Sequence, residues 1–141
     1  MTKITLNGDA LRYISVFEKV TRTRVIDCIE TPEKLIFIVA PGQIRQAVGK
    51  KGENVKKLHD MFKKNLDVIE FSEDRARFLR NIFHKYAVKG VEIEHRGNRV
   101  HATVSVESKD KGKVIGKGGK NLKLAKDILG RHTDIESLSI D

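Results

Sequence analysis

Cysteine occurs once in the 141 residues, at Cys28, so no intrachain disulfide framework can form and the chain suits a reducing compartment. Nor is there an apolar run long enough for a signal peptide or a membrane span after the opening Met1-Thr2-Lys3. The expectation is a cytoplasmic protein without a membrane partner. No segment is of low complexity. The five histidines, His59, His84, His95, His101 and His132, are dispersed, and none has HExxH or paired-cysteine spacing. His95 and His101 are near enough in sequence to meet across a hairpin, but two ligands do not make a structural zinc site. No acid, base or nucleophile falls into a catalytic constellation. The chain is therefore read as a binding protein, not an enzyme, with no cofactor, metal or small-molecule substrate.

What the chain has in excess is positive charge, a formal +9 with a pI near 9.7. Residues 1–72 carry 13 basic against 9 acidic side chains and residues 73–141 carry 15 against 10, so the excess belongs to both halves and not to a tail. Such a balance favours a polyanion, either nucleic acid or a membrane surface, through long-range attraction and counterion release.

The halves also share a sequence. Gly49-Lys50-Lys51-Gly52-Glu53-Asn54-Val55-Lys56 is matched 67 residues later by Gly116-Lys117-Gly118-Gly119-Lys120-Asn121-Leu122-Lys123. The same shift lays Leu35, Phe37 and Val39 on Ala102, Val104 and Val106, Met61-Phe62 on Ile128-Leu129, and Asp67-Val68 on Asp134-Ile135, without a gap. Two copies of one supersecondary unit, residues 1–72 and 73–141, are the economical reading. Units of that size are marginal alone, and the short connection around Phe71-Ser72-Glu73-Asp74 predicts that they pack together.

Within each unit the local signals run in one order. Asp9 is placed to cap a helix on which Leu11, Ile14, Phe17 and Val20 recur at helical spacing. Val25 to Glu30, the turn Thr31-Pro32-Glu33-Lys34 and Leu35 to Val39 predict a hairpin, followed by a short helix over Gln43 to Val48, the glycine loop, a helix from Glu53 to Phe62 and a strand from Asp67 to Phe71. In the second half Ser72 is the expected cap of a helix with Glu73 and Asp74 in its first turn and an apolar stripe of Phe78, Leu79, Ile82, Phe83 and Tyr86. Strands Val91 to Arg96 and Arg99 to Val106 flank Gly97-Asn98, a two-residue hairpin turn. Lys109 to Ile115, the second glycine loop, Asn121 to Leu129 and Thr133 to Ile140 complete the set. Each unit thus reads α-β-β-α-α-β, an α+β layer arrangement with helices on one face of a small three-stranded sheet.

A helix that starts at a glycine loop presents unpaired amides and the positive end of its dipole, which together attract an anion. Gly49, Gly52, Gly116, Gly118 and Gly119 permit positive φ and bring bare backbone to the surface, while Lys50, Lys51 and Lys117 add charge where phosphates would lie. Single strands are favoured over duplex because their splayed bases can also reach an apolar groove. Blander roles compete at several positions. Lys63 and Lys64 read as solvated side chains, Asn54 and Asn121 as local backbone partners, Val48 and Ile115 as core, and Cys28 as a small apolar residue. Gly112 to Lys117 lacks the length and the following Ser or Thr of a nucleotide-binding loop.

A GxxG loop between two helices, preceded by Ala47-Val48 or Val114-Ile115 and followed by Val55 or Leu122, resembles the K-homology (KH) RNA-binding domain in its type II order. Two such modules in tandem, with the opening Leu6-Asn7-Gly8-Asp9-Ala10-Leu11-Arg12-Tyr13-Ile14, resemble the short archaeal form of the NusA-type transcription termination/antitermination family. Relative to bacterial members the chain is expected to lack the N-terminal polymerase-binding region and the S1 domain. The resemblance implies that Gly49 to Gly52 and Gly116 to Gly119 clamp single-stranded RNA, about four nucleotides per domain. It makes Arg45, Lys56, Lys113, Lys120 and Lys123 further phosphate contacts and leaves RNA polymerase as an open second partner. A short linker would let the two grooves form one track of about eight nucleotides. An RNA-binding factor of ribosome assembly or RNA processing, a small enzyme acting on RNA and a protein-binding adaptor stand as alternatives.

Overall fold

The computed structural model describes residues 8–141, and these divide into two compact units, residues 8–72 and 73–141. Met1-Thr2-Lys3, and Leu6-Asn7 of the family-like opening, lie outside the described residues. The first unit begins with α1 (Gly8–Thr21), which buries Ala10 and Phe17 and packs Tyr13, Ile14 and Val20 beside them. Asp9 does not cap this helix. It already lies in the first turn, where its carboxylate still faces the positive helix end.

Strands β1 (Val25–Glu30) and β2 (Lys34–Val39) pair antiparallel. Their turn is closed by Thr31, whose hydroxyl accepts from the amides of Glu33 and Lys34 at 3.3 and 3.0 Å. After α2 (Ile44–Val48), a 3₁₀ turn (Lys50–Gly52) and α3 (Glu53–Phe62), β3 (Asn65–Glu70) lies parallel to β2. A parallel neighbour requires a long crossover, and the two helices with their loop supply it. Because β2 is central and buried from Leu35 to Val39, its sequence is a continuous apolar run and not an alternation. Phe17 stacks on Phe37 at 4.2 Å, with Cys28, Ala47, Leu58 and Val68 around them. Burial of each large side chain in this cluster contributes about 1.5–3 kcal/mol.

Cys28 behaves as the small apolar residue its strand predicts. Burial pushes its thiol up to about 12, with the charges of Asp27 and Glu30 adding to the shift. The folded state therefore holds the thiol proton more tightly than the unfolded chain does. That contribution to stability is complete below pH 9.0, the ordinary value, and is lost as pH rises toward about 12. A thiol reagent at pH 8 is expected to label the native protein no faster than its unfolding rate allows, and rapid labelling of folded protein would contradict this burial.

In the second unit the order is α4 (Arg75–Ile82), β4 (Val88–Arg96), β5 (Arg99–Val106), α5 (Ser108–Ile115), a 3₁₀ turn (Lys117–Gly119), α6 (Lys120–His132) and β6 (Ser137–Ile140). Strands β4 and β5 are antiparallel, and β6 is parallel to β5. The cap of α4 is Asp74, not Ser72. Its carboxylate accepts from the amides of Ala76 and Arg77 at 3.0 and 3.3 Å, so the helix starts two residues later than Ser72 would start it. Because α4 ends at Ile82, Tyr86 falls outside it, and the Tyr86 hydroxyl instead donates to the Lys113 carbonyl at 3.3 Å. Gly97-Asn98 makes the tight turn between Arg96 and Arg99, with Gly97 at φ 65°. His95 and His101 do not meet: His95 is paired with Val100 and His101 with Glu94, which puts them on opposite faces of the sheet. Buried His101 lies 2.5 Å from the Ser137 hydroxyl through Nδ1 and 3.1 Å from that of Ser139 through Nε2.

Both units are therefore α-β-β-α-α-β with a three-stranded sheet, the α+β class expected. The 67-residue register, however, does not run through without a gap. It holds from β2 and β5 through the helices after the loops, but Cys28 faces Phe37 where Val91 faces Val104, a separation of 63 residues. Beyond the loops Val68 faces Phe37 where Ile140 faces Val104, a separation of 72, so Asp67-Val68 corresponds to Ser139-Ile140 and not to Asp134-Ile135. The reason is local: α3 stops at Phe62, with Lys63 in the left-handed conformation behind it, whereas α6 continues for 13 residues to His132. The one stretch in strict register is the stretch that holds the loops.

Candidate nucleic-acid interface

Each loop is a helix stop and a helix start compressed into four residues. Gly49 has φ 80°, ψ 167° and Gly116 has φ 82°, ψ 164°, a backbone region open essentially only to glycine. The third position of each loop is left-handed, at φ 54° for Lys51 and φ 66° for Gly118, and so is the fourth, at φ 74° for Gly52 and φ 76° for Gly119. The amide of Gly52 bonds to the Gly49 carbonyl at 3.1 Å and that of Gly119 to the Gly116 carbonyl at 3.0 Å. Glu53 and Lys120 donate likewise to Lys50 and Lys117. With the amides of Gly52, Glu53, Gly119 and Lys120 engaged within the turns, the loop residues that stand exposed between the glycines are Lys50, Lys51, Lys117 and Gly118.

An asparagine locks each loop. Asn54 Nδ2 donates to the Gln46 carbonyl at 2.9 Å, and Asn121 Nδ2 to the Lys113 carbonyl at 3.0 Å, tying the second helix of each pair back to the end of the first. The close passage explains the leading glycine. A Cβ on Gly49 would stand 2.9 Å from Asn54 Cγ, and one on Gly116 would stand 2.8 Å from Asn121 Cγ. Gln46 extends the first lock, its amide donating to the carbonyls of Thr21 and Arg22 at 3.2 and 2.8 Å.

Beside the first loop runs an open groove of about 430 Å³ lined by Ile44, Arg45, Val48, Gly49 and Lys50. Val48 is half-buried on this groove and Ile115 is likewise half-buried, so neither is the core residue expected. The core positions are their neighbours, fully buried Ala47 and Val114. The charged side chains of Arg45, Lys50, Lys51, Lys56, Lys113, Lys117, Lys120 and Lys123 are all exposed.

A family model described as the NusA-like second KH domain matches residues 75–141, and one described as the KH domain matches residues 11–73. The probable transcription termination protein NusA of Thermoplasma acidophilum is 34% identical over 140 residues, covering 99% of this chain and 97% of that protein. The chain belongs to the NusA family. The NusA-named protein of Methanococcus vannielii is 39% identical over 138 residues, with 98% of this chain and 80% of that protein covered. The crystal structure of APE1850 shares the fold at a TM-score of 0.76 and 33% identity, over 96% of this chain and 100% of that one.

On this NusA-type chain the expected site residues fall into two groups. Gly49 to Gly52 with Arg45 gather at the first loop and groove, and Gly116 to Gly119 with Lys113 and Lys120 at the second. Lys56 and Lys123 lie one helical turn further on. Lys64 is engaged elsewhere: it pairs with Glu30, whose carboxyl it holds below the usual range while its own ammonium is raised. The locks made by Asn54 and Asn121 are local backbone partners as expected, but they reach across the loop and not along their own helix. Their equal distance from Gly49 and Gly116 was the available signal. Gln46 and Ile44 carried none.

Lys51 is the residue out of place. A side chain in the left-handed region costs about 1–2 kcal/mol, and at the matching position the second loop has glycine. Lys51→Gly is expected to stabilise the fold by up to about 1 kcal/mol, the relief being partly offset by the freer unfolded chain. A lower thermal midpoint for this variant would show that Lys51 makes a compensating contact.

Proposed function

We propose that each loop clamps the backbone of single-stranded RNA and that the chain acts on nascent transcripts in the regulation of transcription termination or antitermination. The observation that carries the reading is that one glycine-bracketed backbone occurs twice, each time exposed, lysine-bearing and locked by an asparagine. The turn amides and lysines would take the phosphates, Arg45, Lys56, Lys113, Lys120 and Lys123 would guide the strand, and the groove at Ile44 and Val48 would receive a base. This is recognition without chemistry, and it calls for no cofactor. RNA polymerase is the second partner such a role would bring near. The reading puts the work in the cytoplasm, and among the described residues no helix is long and apolar enough to cross a membrane. The transcription termination names carried by the relatives favour transcription over ribosome assembly or RNA processing.

Crosslinking in cells followed by sequencing of the bound RNA tests it. Enrichment of nascent messenger is expected. Recovery of ribosomal RNA alone, or of no RNA, would overturn the assignment.

A further inference from the structure

We infer that Arg45 makes the groove beside the first loop selective for a base with two adjacent acceptors on one edge, guanine or cytosine, and that the second unit makes no such choice. The inference rests on the RNA-binding reading above. The Gly49 amide bonds to the Arg45 carbonyl at 2.9 Å and the Gly116 amide to the Gly112 carbonyl at 2.9 Å, so Arg45 and Gly112 hold the same place in the helix before each loop. Ala47 and Val114 are both fully buried, and Val48 and Ile115 both half-buried, which keeps that register up to the glycines. Within it the second unit has Lys111 for Ile44 and Gly112 for Arg45.

The side chains that line the first groove are those of Ile44, Arg45, Val48 and Lys50, two apolar and two cationic. None of them can accept a hydrogen bond. The neighbouring glutamines are held elsewhere, Gln43 accepting from the Arg24 amide at 2.6 Å and Gln46 donating to the Thr21 and Arg22 carbonyls. A base lying on Ile44 and Val48 therefore meets side-chain donors only. Of the two cations, lysine is a point charge, whereas the exposed Arg45 guanidinium is a planar fork of paired donors. That fork matches guanine at O6 and N7, and cytosine presents an equivalent pair at O2 and N3. Adenine sets its amino group beside N1 and N7, and uracil separates its two carbonyls by an N–H, so each can take only one arm of the fork. In the second unit Gly112 has no side chain with which to read an edge, and Lys111 brings charge without a fork.

The test is a set of anisotropy titrations of the full chain with fluorescent uridine oligoribonucleotides, one all uridine and the others carrying a single guanine, cytosine or adenine, over a range of salt. The unmodified chain is expected to bind the guanine strand, the cytosine strand or both about tenfold more tightly than the all-uridine and adenine strands, within the reach of one bidentate arginine contact. Arg45→Lys keeps the charge but removes the fork, and should erase most of that difference. Arg45→Gln should cost more on the favoured strand than on the all-uridine strand. In the Arg45→Lys background, Lys111→Ile with Gly112→Arg gives the second unit the missing pair and should restore the preference, since a Cβ at Gly112 has nothing within 4 Å. No preference in the unmodified chain, a preference for adenine or uridine, or one that survives Arg45→Lys would overturn the inference. So would an equal loss on every strand with a flatter salt slope in Arg45→Gln, the behaviour of a plain phosphate contact. Failure of the transplant would overturn the claim that these two positions separate the units. Absence of binding to any strand would instead remove the RNA-binding reading itself.

Discussion

Reversing the charge of both loops at once, with Lys50→Asp, Lys51→Asp, Lys117→Asp and Gly118→Asp, is expected to abolish measurable RNA binding at physiological salt while the protein stays folded. Each Lys→Asp removes two charges and Gly118→Asp one, taking the formal charge from +9 to +2. Three lysines cease to displace counterions, so the slope of log affinity against log salt should flatten by roughly 2, at about 0.7 per phosphate contact on single strands. The fold should tolerate the change because all four positions are exposed or open, and because aspartate accepts the left-handed conformation of positions 51 and 118 better than most residues. Loss of net charge alone would weaken any polyanion binder, so the control is Lys19→Asp with Lys85→Asp, two exposed lysines outside the loops. That control should cost a few-fold at low salt and little at physiological salt, where charges more than about 8 Å from the ligand are screened. Parallel behaviour of the two variants would mean that the loops are not where the nucleic acid lies.

The helices, strands and loops of this fold were legible because their signals are local. Helical spacing of Phe17 and its neighbours, the threonine turn at Thr31 and the Gly97-Asn98 hairpin each depend on a few adjacent residues, and the two glycine loops announce themselves by repetition. What was not legible depends on competition or distance. Ser72 and Asp74 are both good helix caps, and only the folded geometry decides that the Asp74 carboxylate reaches the amides of Ala76 and Arg77. An ungapped alignment placed Asp134-Ile135 opposite Asp67-Val68 because both are acid followed by a β-branched residue. The extra length of α6 moves the true partners to Ser139-Ile140, and helix length is set by where packing and the C-terminal conformation stop it.

The same division applies at the site. That Gly49, Gly52, Gly116 and Gly119 need positive φ could be expected from a turn between helices. The reason Gly49 and Gly116 must lack a side chain could not, because it lies five residues away, in an asparagine that crosses the loop to bond the far helix. Val48 reads as core because it is an apolar residue beside the loop, yet the first helix of the pair is so short that Ala47 is its fully buried residue and Val48 is left on the groove.

That crossing asparagine makes Gly49→Ala the substitution with the largest expected effect on stability. Alanine at φ 80°, ψ 167° costs of order 1–3 kcal/mol in backbone strain alone. Its Cβ would also meet Asn54 Cγ and Nδ2 at 2.9 Å, forcing the side chain off the Gln46 carbonyl and adding about 0.5–1.5 kcal/mol for the lost hydrogen bond. A total near 3 kcal/mol is a large share of a stability of about 5–15 kcal/mol, and corresponds to a fall of roughly 10 °C or more in the midpoint of a unit this small. Gly116→Ala should behave alike, with Asn121 at 2.8 Å. Gly52→Ala separates the two causes, because its position is left-handed but open, so only about 1 kcal/mol of strain applies. A double-mutant cycle of Gly49→Ala with Asn54→Ala completes the argument: once the asparagine is shortened, the side-chain clash and the bond it would break are gone, leaving the 3.0 Å approach to the residue 54 backbone nitrogen and the backbone strain, and the second substitution should cost about 1 kcal/mol less than it does alone. Strict additivity of the two would show that the asparagine lock and the bare glycine are independent, and that the loop's shape is held by something other than their contact.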